Sequence, residues 1–209
     1  LSFDGGSLSG TISFDVPSTF YDGTAASGTV TYSVTIDGEQ TLTGNAEWGK
    51  RCNVPVSFET PGSHDFTVKL VNSTGSSPEA RISGWIGPDA PAAATEASAK
   101  YTNGKFTVKW TAPTAGVNGG YLDASQLRYN VVRNPGNVNV ASGINDTQII
   151  DDVAEPENQI IGYTYTITSL CGSTEGESVT TSKKSIGYFI PPYENDFSAS
   201  SKTAGYSVI

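Results

Sequence analysis

The 209-residue sequence contains no methionine, one histidine and two cysteines, and charged residues make up only 16% of it. Charged residues form about 25% of an average soluble protein. The residues that favour helices are scarce, whereas Thr, Ser and Gly are abundant, with 23 glycines. This composition predicts many short strands joined by turns, and it argues against helices.

The two cysteines, Cys52 and Cys171, belong to no Cys-x-x-Cys pair or Cys/His cluster. This spacing argues against a zinc site, and we expect no metal and no cofactor. If the two halves of the chain are separate domains, each has one cysteine and an intradomain disulfide is impossible. We therefore expect two buried thiols that pack as small apolar residues.

Basic residues are few: 12 Lys and Arg against 21 Asp and Glu give a net charge of −9 and a pI near 4.5. A duplex-binding protein needs cations to replace counterions on phosphates, so we expect no nucleic-acid partner. No run approaches the roughly 18 apolar residues of a membrane span, so we expect no transmembrane segment. An acidic surface of this kind is typical of extracellular proteins, where it favours solubility.

The most informative feature is an internal repeat with an offset that drifts from 96 to 99 residues. The stretch 10–17 (GTISFDVP) matches 106–113 (FTVKWTAP), and 64–70 matches 163–169. Apolar residues alternate in each copy, which is the period of a strand with one buried face. Two copies of one β-sandwich domain explain the pattern.

Alternation and turn signals predict the strands of both copies. In the first copy they cover 9–16, 29–36, 39–44, 52–58, 64–72 and 79–86, and in the second 92–99, 104–111, 126–133, 137–141, 146–151, 161–169 and 177–187. Asp37-Gly38 marks a two-residue hairpin, and Asn118-Gly119 marks a turn.

Prolines mark the domain limits. Gly87-Pro88-Asp89-Ala90-Pro91 predicts an extended link, which gives domains 1–87 and 88–190. Pro191-Pro192 is a second boundary signal of the same kind, so 191–209 is interpreted as the start of a truncated third domain or a tail. The chain opens as a strand already under way, and we expect it to be part of a larger exported protein.

The second copy resembles a fibronectin type III domain. The resemblance rests on the strand pattern that ends at Trp110-Thr111-Ala112-Pro113, on the Tyr163-Thr164-Tyr165-Thr166-Ile167 strand, and on the leading Pro88-Asp89-Ala90-Pro91. The first copy has Phe14 and His64 where the pattern has Trp and Tyr. It is therefore identified as the same kind of domain by its match to the second copy, more than by its own residues. The resemblance implies tandem immunoglobulin-like sandwiches, and the start of the tail resembles the jelly-roll domains that follow such pairs in surface proteins of Bacteroidetes-like bacteria.

No catalytic group is expected. Ser63-His64-Asp65 has the residue types of a triad, but neighbours on a strand point to opposite faces, so the three side chains cannot converge. The carboxylates Asp151, Asp152, Glu155 and Glu157 lie close in sequence and match no calcium-loop spacing. An acidic turn between strands is the expected structure, with a weak calcium site as the alternative.

The tryptophans differ in their expected roles. Trp110 alternates with Phe106 and Val108, which predicts a core position, and Trp85 lies beside the predicted link. Trp48 falls in a predicted loop and, with Phe20 and Tyr21, is a candidate ligand-binding surface, since exposed rings anchor protein partners or stack on sugars. The alternative is that these loop aromatics fold back over the sandwich.

Two functions follow from this reading. The first is a non-catalytic structural or adhesive module of a bacterial secreted or cell-surface protein, which spaces or presents other domains of the same polypeptide and contacts protein or glycan ligands. The second is a carbohydrate-binding accessory region of a secreted polysaccharide-degrading enzyme, which coplanar Phe20, Tyr21 or Trp48 rings would favour. Fold alone does not choose between them.

Overall fold

The structure of the chain, a computed structural model, describes residues 2–190. These residues form two compact units. Unit 1 contains residues 2–89 and 115–123, and unit 2 contains residues 90–114 and 124–190. Both units are built from antiparallel strands, so the predicted all-β class is confirmed.

Unit 1 has seven strands among its described residues. They are β1 (Ser9–Asp15), β2 (Val30–Ile36), β3 (Gln40–Ala46), β4 (Arg51–Ser57), β5 (Gly62–Asn72), β6 (Gly75–Ser76) and β7 (Ala80–Ile86). β1 pairs with β4 in one sheet, and the second sheet has the order β3-β2-β5, with β6 and β7 on the far side of β5. The predicted strands of the first copy are all present.

Unit 2 has eight strands among its described residues. They are β8 (Thr95–Thr102), β9 (Lys105–Thr111), β10 (Leu127–Asn134), β11 (Val138–Ile144), β12 (Gln148–Asp152), β13 (Ile161–Cys171), β14 (Thr174–Thr180) and β15 (Lys184–Ile186). One sheet has the order β8-β9-β12, and the other has β11-β10-β13 with β14 and β15 on the far side of β13. A short 3-10 helix, Ala124–Gln126, precedes β10.

The two units repeat one strand arrangement. β9 and β12 correspond to β1 and β4, and β11-β10-β13 corresponds to β3-β2-β5. In each unit strands that are not consecutive in the chain lie side by side, as in Greek-key sandwiches. The chain is therefore a tandem of antiparallel β-sandwiches of the fibronectin type III or immunoglobulin-like type, as predicted.

Each unit has its own apolar core, made by the inward residues of both sheets. Unit 1 buries Ile12, Val34, Ile36, Val54, Val56, Phe66 and Val68. Unit 2 buries Ala94, Phe106, Val108, Trp110, Tyr129, Val131, Val153, Tyr163, Tyr165, Ile167 and Ile186. Trp110 is 5% exposed, which confirms its predicted core position. Phe14, its counterpart on β1, is half-buried against the unit 1 core.

Tight turns explain two of the hairpins. Asp37 and Gly38 join β2 to β3 with φ of 52° and 75°, and Asn103 and Gly104 join β8 to β9 with φ of 52° and 80°. Two successive positive φ angles are the geometry of the type I′ turn, which suits the twist of a hairpin. The hairpin predicted at Asp37-Gly38 is confirmed.

The single strand predicted over 177–187 is wrong. Thr180 pairs with Thr166, and Lys184 pairs with Tyr163, so the five residues 180–184 lie opposite the four residues 163–166. An extra residue interrupts a ladder in this way at a β-bulge. The stretch therefore forms two strands, β14 and β15, which pair with the same partner, β13.

The stretch 115–123 packs within unit 1, a placement that the sequence did not predict. Buried Asp89 accepts hydrogen bonds from the Asn118 amide N–H (2.7 Å), the Asn118 side chain (3.0 Å) and the Gly120 N–H (3.1 Å). A β-carbon on Gly116 or Gly120 would collide with Asp89. As domain limits, 1–87 and 88–190 stay predictions, and 191–209 lies outside the described residues.

Candidate functional site

A small turn presents Tyr21 at the end of the unit 1 sandwich. Between β1 and β2, the Phe20 N–H donates to Thr24 O (2.9 Å) and the Gly23 N–H donates to Phe20 O (3.0 Å). Asp22 Oδ1 accepts from the Thr24 N–H and hydroxyl, and these bonds lower the pKa of Asp22. Tyr21 sits at the tip of this turn with its side chain fully exposed.

Trp48, from the connection between β3 and β4, packs beside this turn. Its ring meets Phe20 edge to face, with centroids 5.3 Å apart and planes at 75°. Its indole N–H donates to Gly28 O at 3.0 Å, so its donor is already used. Both rings are half-buried, which fixes them as one wall of a recess.

The recess is a groove of about 580 Å³, which we call the aromatic groove. It is lined by Pro17, Thr19, Phe20, Tyr21, Val30, Trp48, Leu70, Val71, Asn72, Thr74, Gly75, Ser76, Ser77 and Pro78. The set contains no Asp, Glu, Lys, Arg or His. Its volume lies within the range of small-molecule pockets, and its lining combines apolar side chains with hydroxyl groups.

The far wall of the groove is the β5–β6 hairpin. Asn72 Oδ1 accepts hydrogen bonds from the Thr74 N–H (2.9 Å), the Thr74 hydroxyl (2.8 Å) and the Gly75 N–H (3.0 Å). One side chain therefore holds the turn of this hairpin in place. The sequence pointed to Phe20, Tyr21 and Trp48 only, because nothing in the stretch 70–78 marks it as facing them.

The three predicted aromatic residues line the same groove, in an arrangement between the two expectations. Phe20 and Trp48 fold back on each other, as loop aromatics do, whereas Tyr21 stands in solvent. The Phe20 and Trp48 rings are close to perpendicular, so they do not make the coplanar platform that stacking on a flat sugar face requires.

His64 has a structural position on β5. Its side chain faces the sandwich interior, whereas Ser63 and Asp65 are exposed on the other face, as predicted. Nδ1 lies 2.7 Å from Asp37 Oδ2, and the ring stacks on Phe58 with centroids 3.9 Å apart. Asp37 Oδ1 also accepts from the Asp65 N–H at 2.8 Å, so the carboxylate ties the β2–β3 turn to β5.

This tie predicts a pH dependence. The hydrogen bonds from His64 and the Asp65 N–H lower the pKa of Asp37 below its ordinary value. A depressed carboxyl pKa stabilises the fold above the unfolded-state pKa of about 3.9, and that stability is lost as pH falls through the folded-state pKa. We expect Asp37→Asn to lower the melting temperature at pH 5 and to lose its effect at pH 2, measured by circular dichroism. An equal effect at both pH values would contradict this.

The four clustered carboxylates are held by separate partners. Asp151 pairs with Arg133, Asp152 pairs with Lys105, Glu155 accepts from the Gly187 N–H, and Glu157 accepts from the Asn158 side chain. Residues 2–190 contain no group of three or more His, Cys, Asp or Glu side chains placed to hold a metal. The carboxylates serve as anchors for strands and turns.

Asp151 is the centre of a partly buried polar group in unit 2. Its Oδ2 accepts from Arg133 (2.7 Å) and from the Tyr165 hydroxyl (2.8 Å). The Arg133 guanidinium also lies over the Tyr163 ring, 5.8 Å from its centroid. Burial and the bond to Asp151 raise the pKa of Tyr165.

Cys52 lies on β4, and Cys171 is the last residue of β13. Both are half-buried rather than buried as predicted. Cys52 packs against the unit 1 core from β4, and burial raises the pKa of its thiol. Trp85, on β7, donates its indole N–H to Pro88 O (3.0 Å) and packs on Gly120.

Comparisons with known proteins give structural likeness alone. No family model and no curated protein matches the chain. Similar solved structures include the FN1–FN3 domains of chicken CNTN1 (14% identity, TM-score 0.37, covering 85% of this chain) and a two-domain fibronectin type III segment of chicken tenascin (14% identity, TM-score 0.33, covering 85% of this chain and 92% of that one). A third is the chicken interferon gamma receptor alpha chain (13% identity, TM-score 0.34, covering 79% and 88%).

The chain spans 62% of the CNTN1 segment. The described residues include no helix that is long and apolar enough to cross a membrane.

Proposed function

We propose that the chain is a non-catalytic structural or adhesive module of a bacterial secreted or cell-surface protein. In this proposal the aromatic groove contacts a protein partner, and the tandem spaces or presents other domains of the same polypeptide. The observation that carries the proposal is the groove, an uncharged recess of about 580 Å³ with a fully exposed tyrosine on its rim. Aromatic side chains beside such recesses are frequent anchors of protein interfaces.

The non-catalytic part of the proposal is supported by where the ionisable groups lie. General acid–base catalysis needs an ionisable group within hydrogen-bond reach of the reacting atom. The Tyr21 phenol is the sole ionisable side chain among the residues that line the groove. His64 is enclosed by Phe58 and bonded to Asp37, away from this lining.

A protein partner fits the groove better than a sugar does. Phe20 and Trp48 meet at 75° and form a notch, which suits an apolar side chain better than a flat pyranose ring. The Trp48 indole N–H is bonded to Gly28 O and is not free to donate to a sugar hydroxyl. A carbohydrate-binding accessory role stays the second candidate because the Tyr21 ring is free for stacking.

We expect Phe20→Ala and Tyr21→Ala to weaken binding to a protein partner at least about 30-fold each, the loss typical of truncating an interface anchor. The measurement is surface plasmon resonance against immobilised purified cell-surface and matrix proteins. Tyr188→Ala is the matched control, since Tyr188 is an exposed tyrosine of unit 2 outside the groove. The Trp48 indole N–H resonance should shift when the partner binds.

The same variants decide between the two functions on an array of neutral oligosaccharides. Glycan binding that Tyr21→Ala abolishes would establish the carbohydrate role instead. If both groove variants bind every ligand as the unaltered chain does, the groove is not the contact surface.

A further inference from the structure

The outer edge of β3 in unit 1 is unprotected. Edge strands carry unpaired backbone groups, which proteins usually shield with charged side chains, prolines or bulges. Other edge strands of the chain follow this rule: β4 contains Arg51 and Pro55, β12 ends in exposed Asp152, and β11 changes register twice along β10. Among the described strands β3 pairs with β2 alone, keeps one register over its seven residues, and contains neither a charged residue nor a proline.

The direction of the backbone groups of β3 follows from two hydrogen bonds of β2 and its turn. The Asp37 N–H donates to Asp65 O at 2.8 Å and so faces β5, whereas Ile36 O accepts from the Glu39 N–H at 3.0 Å and so faces β3. Backbone groups alternate between the two sides of a strand. Leu42 lies opposite a β2 residue that shares the direction of Ile36, so it bonds to β2. The N–H and C=O groups of the alternate residues point to the open edge, and these residues are Thr41, Thr43 and Asn45.

We infer that this edge is a self-association surface, at which β3 pairs antiparallel with β3 of a second copy of the chain about a two-fold axis at Thr43. In this register Thr43 lies opposite Thr43 of the second copy, and Thr41 lies opposite Asn45 of the second copy. Residues placed in this way exchange two hydrogen bonds per pair, so the three pairs give six. A register shifted by two residues in either direction keeps only two of the three pairs.

The side chains of β3 suit a second copy of the same strand. On the exposed face the register sets threonine against threonine, which is a favourable cross-strand pair. On the half-buried face it sets Leu42 opposite Gly44 of the second copy, so a large side chain meets a position that has none. The Tyr32 ring lies against Gly44 and offers Leu42 an apolar surface. Pairing therefore covers apolar groups and buries no charge.

The geometry limits both the size and the strength of the assembly. A two-fold contact uses the same surface on both copies, so it closes as a dimer. The register also brings Glu39 of each copy to Glu47 of the other, just beyond the two ends of the ladder, and both residues are exposed. Like charges that face each other across strands oppose pairing. We therefore expect a weak dimer that salt strengthens, because mobile ions screen the two repulsions.

Sedimentation equilibrium of the full 209-residue chain, from micromolar to millimolar concentration, tests the inference. We expect Thr43→Pro to weaken the dimer at least about tenfold, because the axis removes two hydrogen bonds at once, one from each copy. The lost N–H points away from β2, and proline is tolerated at such edge positions. The matched control is Thr43→Val, which keeps the N–H and should dimerise as the unaltered chain does.

Two further variants keep the test decisive if the proline variant fails to fold, which circular dichroism would reveal. Thr43→Lys keeps the N–H but sets two lysines against each other across the axis, and it should also weaken the dimer at least about tenfold. Glu39→Lys replaces both repulsions by attractions, and it should strengthen the dimer at least about threefold.

A monomer–dimer equilibrium that responds to these variants in this way supports the inference. A chain that is monomeric at millimolar concentration overturns it, and so does a dimer that neither Thr43→Pro nor Thr43→Lys weakens. A chain that stays monomeric but whose Thr43 amide a free peptide of residues 39–47 protects from exchange also overturns it, because the edge would then accept an isolated strand and not a second copy.

Discussion

Replacing Asp151 by alanine is expected to destabilise unit 2 by about 3 kcal/mol, the lower end of the cost of removing one partner from a buried ion pair, because its pair with Arg133 is partly buried. The Arg133 and Asp151 side chains are 18% and 12% exposed, so solvent screens them little. Without the carboxylate, the guanidinium stays inside the sandwich with no counter-charge, and the Tyr165 hydroxyl loses its acceptor. Urea unfolding followed by circular dichroism measures the loss.

The neighbouring residue supplies the control. Asp152 pairs with Lys105 at 2.7 Å, but these side chains are 74% and 54% exposed. Exposed pairs contribute at most about 1 kcal/mol. Asp152→Ala should therefore change the stability little, although it removes a carboxylate from the same strand. Equal losses of unfolding free energy from the two substitutions would mean that the lower exposure of the Asp151 pair adds nothing to the stability of unit 2.

The second large effect is expected from Trp110→Ala, which should cost about 3–5 kcal/mol, as large aromatic truncations in cores do. Trp110 is packed edge to face on Tyr129, with centroids 5.2 Å apart. The cavity left behind cannot refill, because the cross-strand neighbours are held by backbone pairing.

The equivalent substitution in unit 1, Phe14→Ala, should cost about 1 kcal/mol, because its half-exposed ring gives up only part of the 1.5–3 kcal/mol that full burial supplies. The comparison measures how far the two copies of the repeat have diverged. A larger loss of unfolding free energy from Phe14→Ala than from Trp110→Ala would show that the exposure of these rings does not determine how much they stabilise their units.

The sequence predicted most of the architecture because alternation is a local signal with a direct structural cause. Apolar residues recur at every second position in both copies, and a strand with one buried face needs that period. The rows are Ile12, Phe14 and Val16 in the first copy and Phe106, Val108 and Trp110 in the second. The turn at Asp37-Gly38 is equally local, since both positions have positive φ. Such features can be recognised in the sequence without knowing which residues lie opposite them in the folded protein.

Contacts between residues far apart in the chain were harder to predict from the sequence. The sequence grouped Phe20, Tyr21 and Trp48 because they are aromatic residues of predicted loops, whereas the hairpin of Asn72 that faces them contains no aromatic residue. The carboxylate cluster was interpreted as an acidic turn because Arg133 is 18 residues from Asp151. Their contact exists only once β10 and β12 are placed in facing sheets. In the same way, Asn118-Gly119 predicted a turn, but the sequence did not indicate that the Asp89 carboxylate accepts its hydrogen bonds.

The neutral lining of the aromatic groove has a practical consequence. Association that relies on charged side chains weakens as ionic strength rises, because mobile ions shield the attraction. A ligand seated among phenylalanine, tryptophan, valine and hydroxyl groups is held by contacts that dissolved ions do not shield. The proposed ligand of the groove should therefore bind with an affinity that changes little as the salt concentration rises, which titrations at low and high ionic strength would measure.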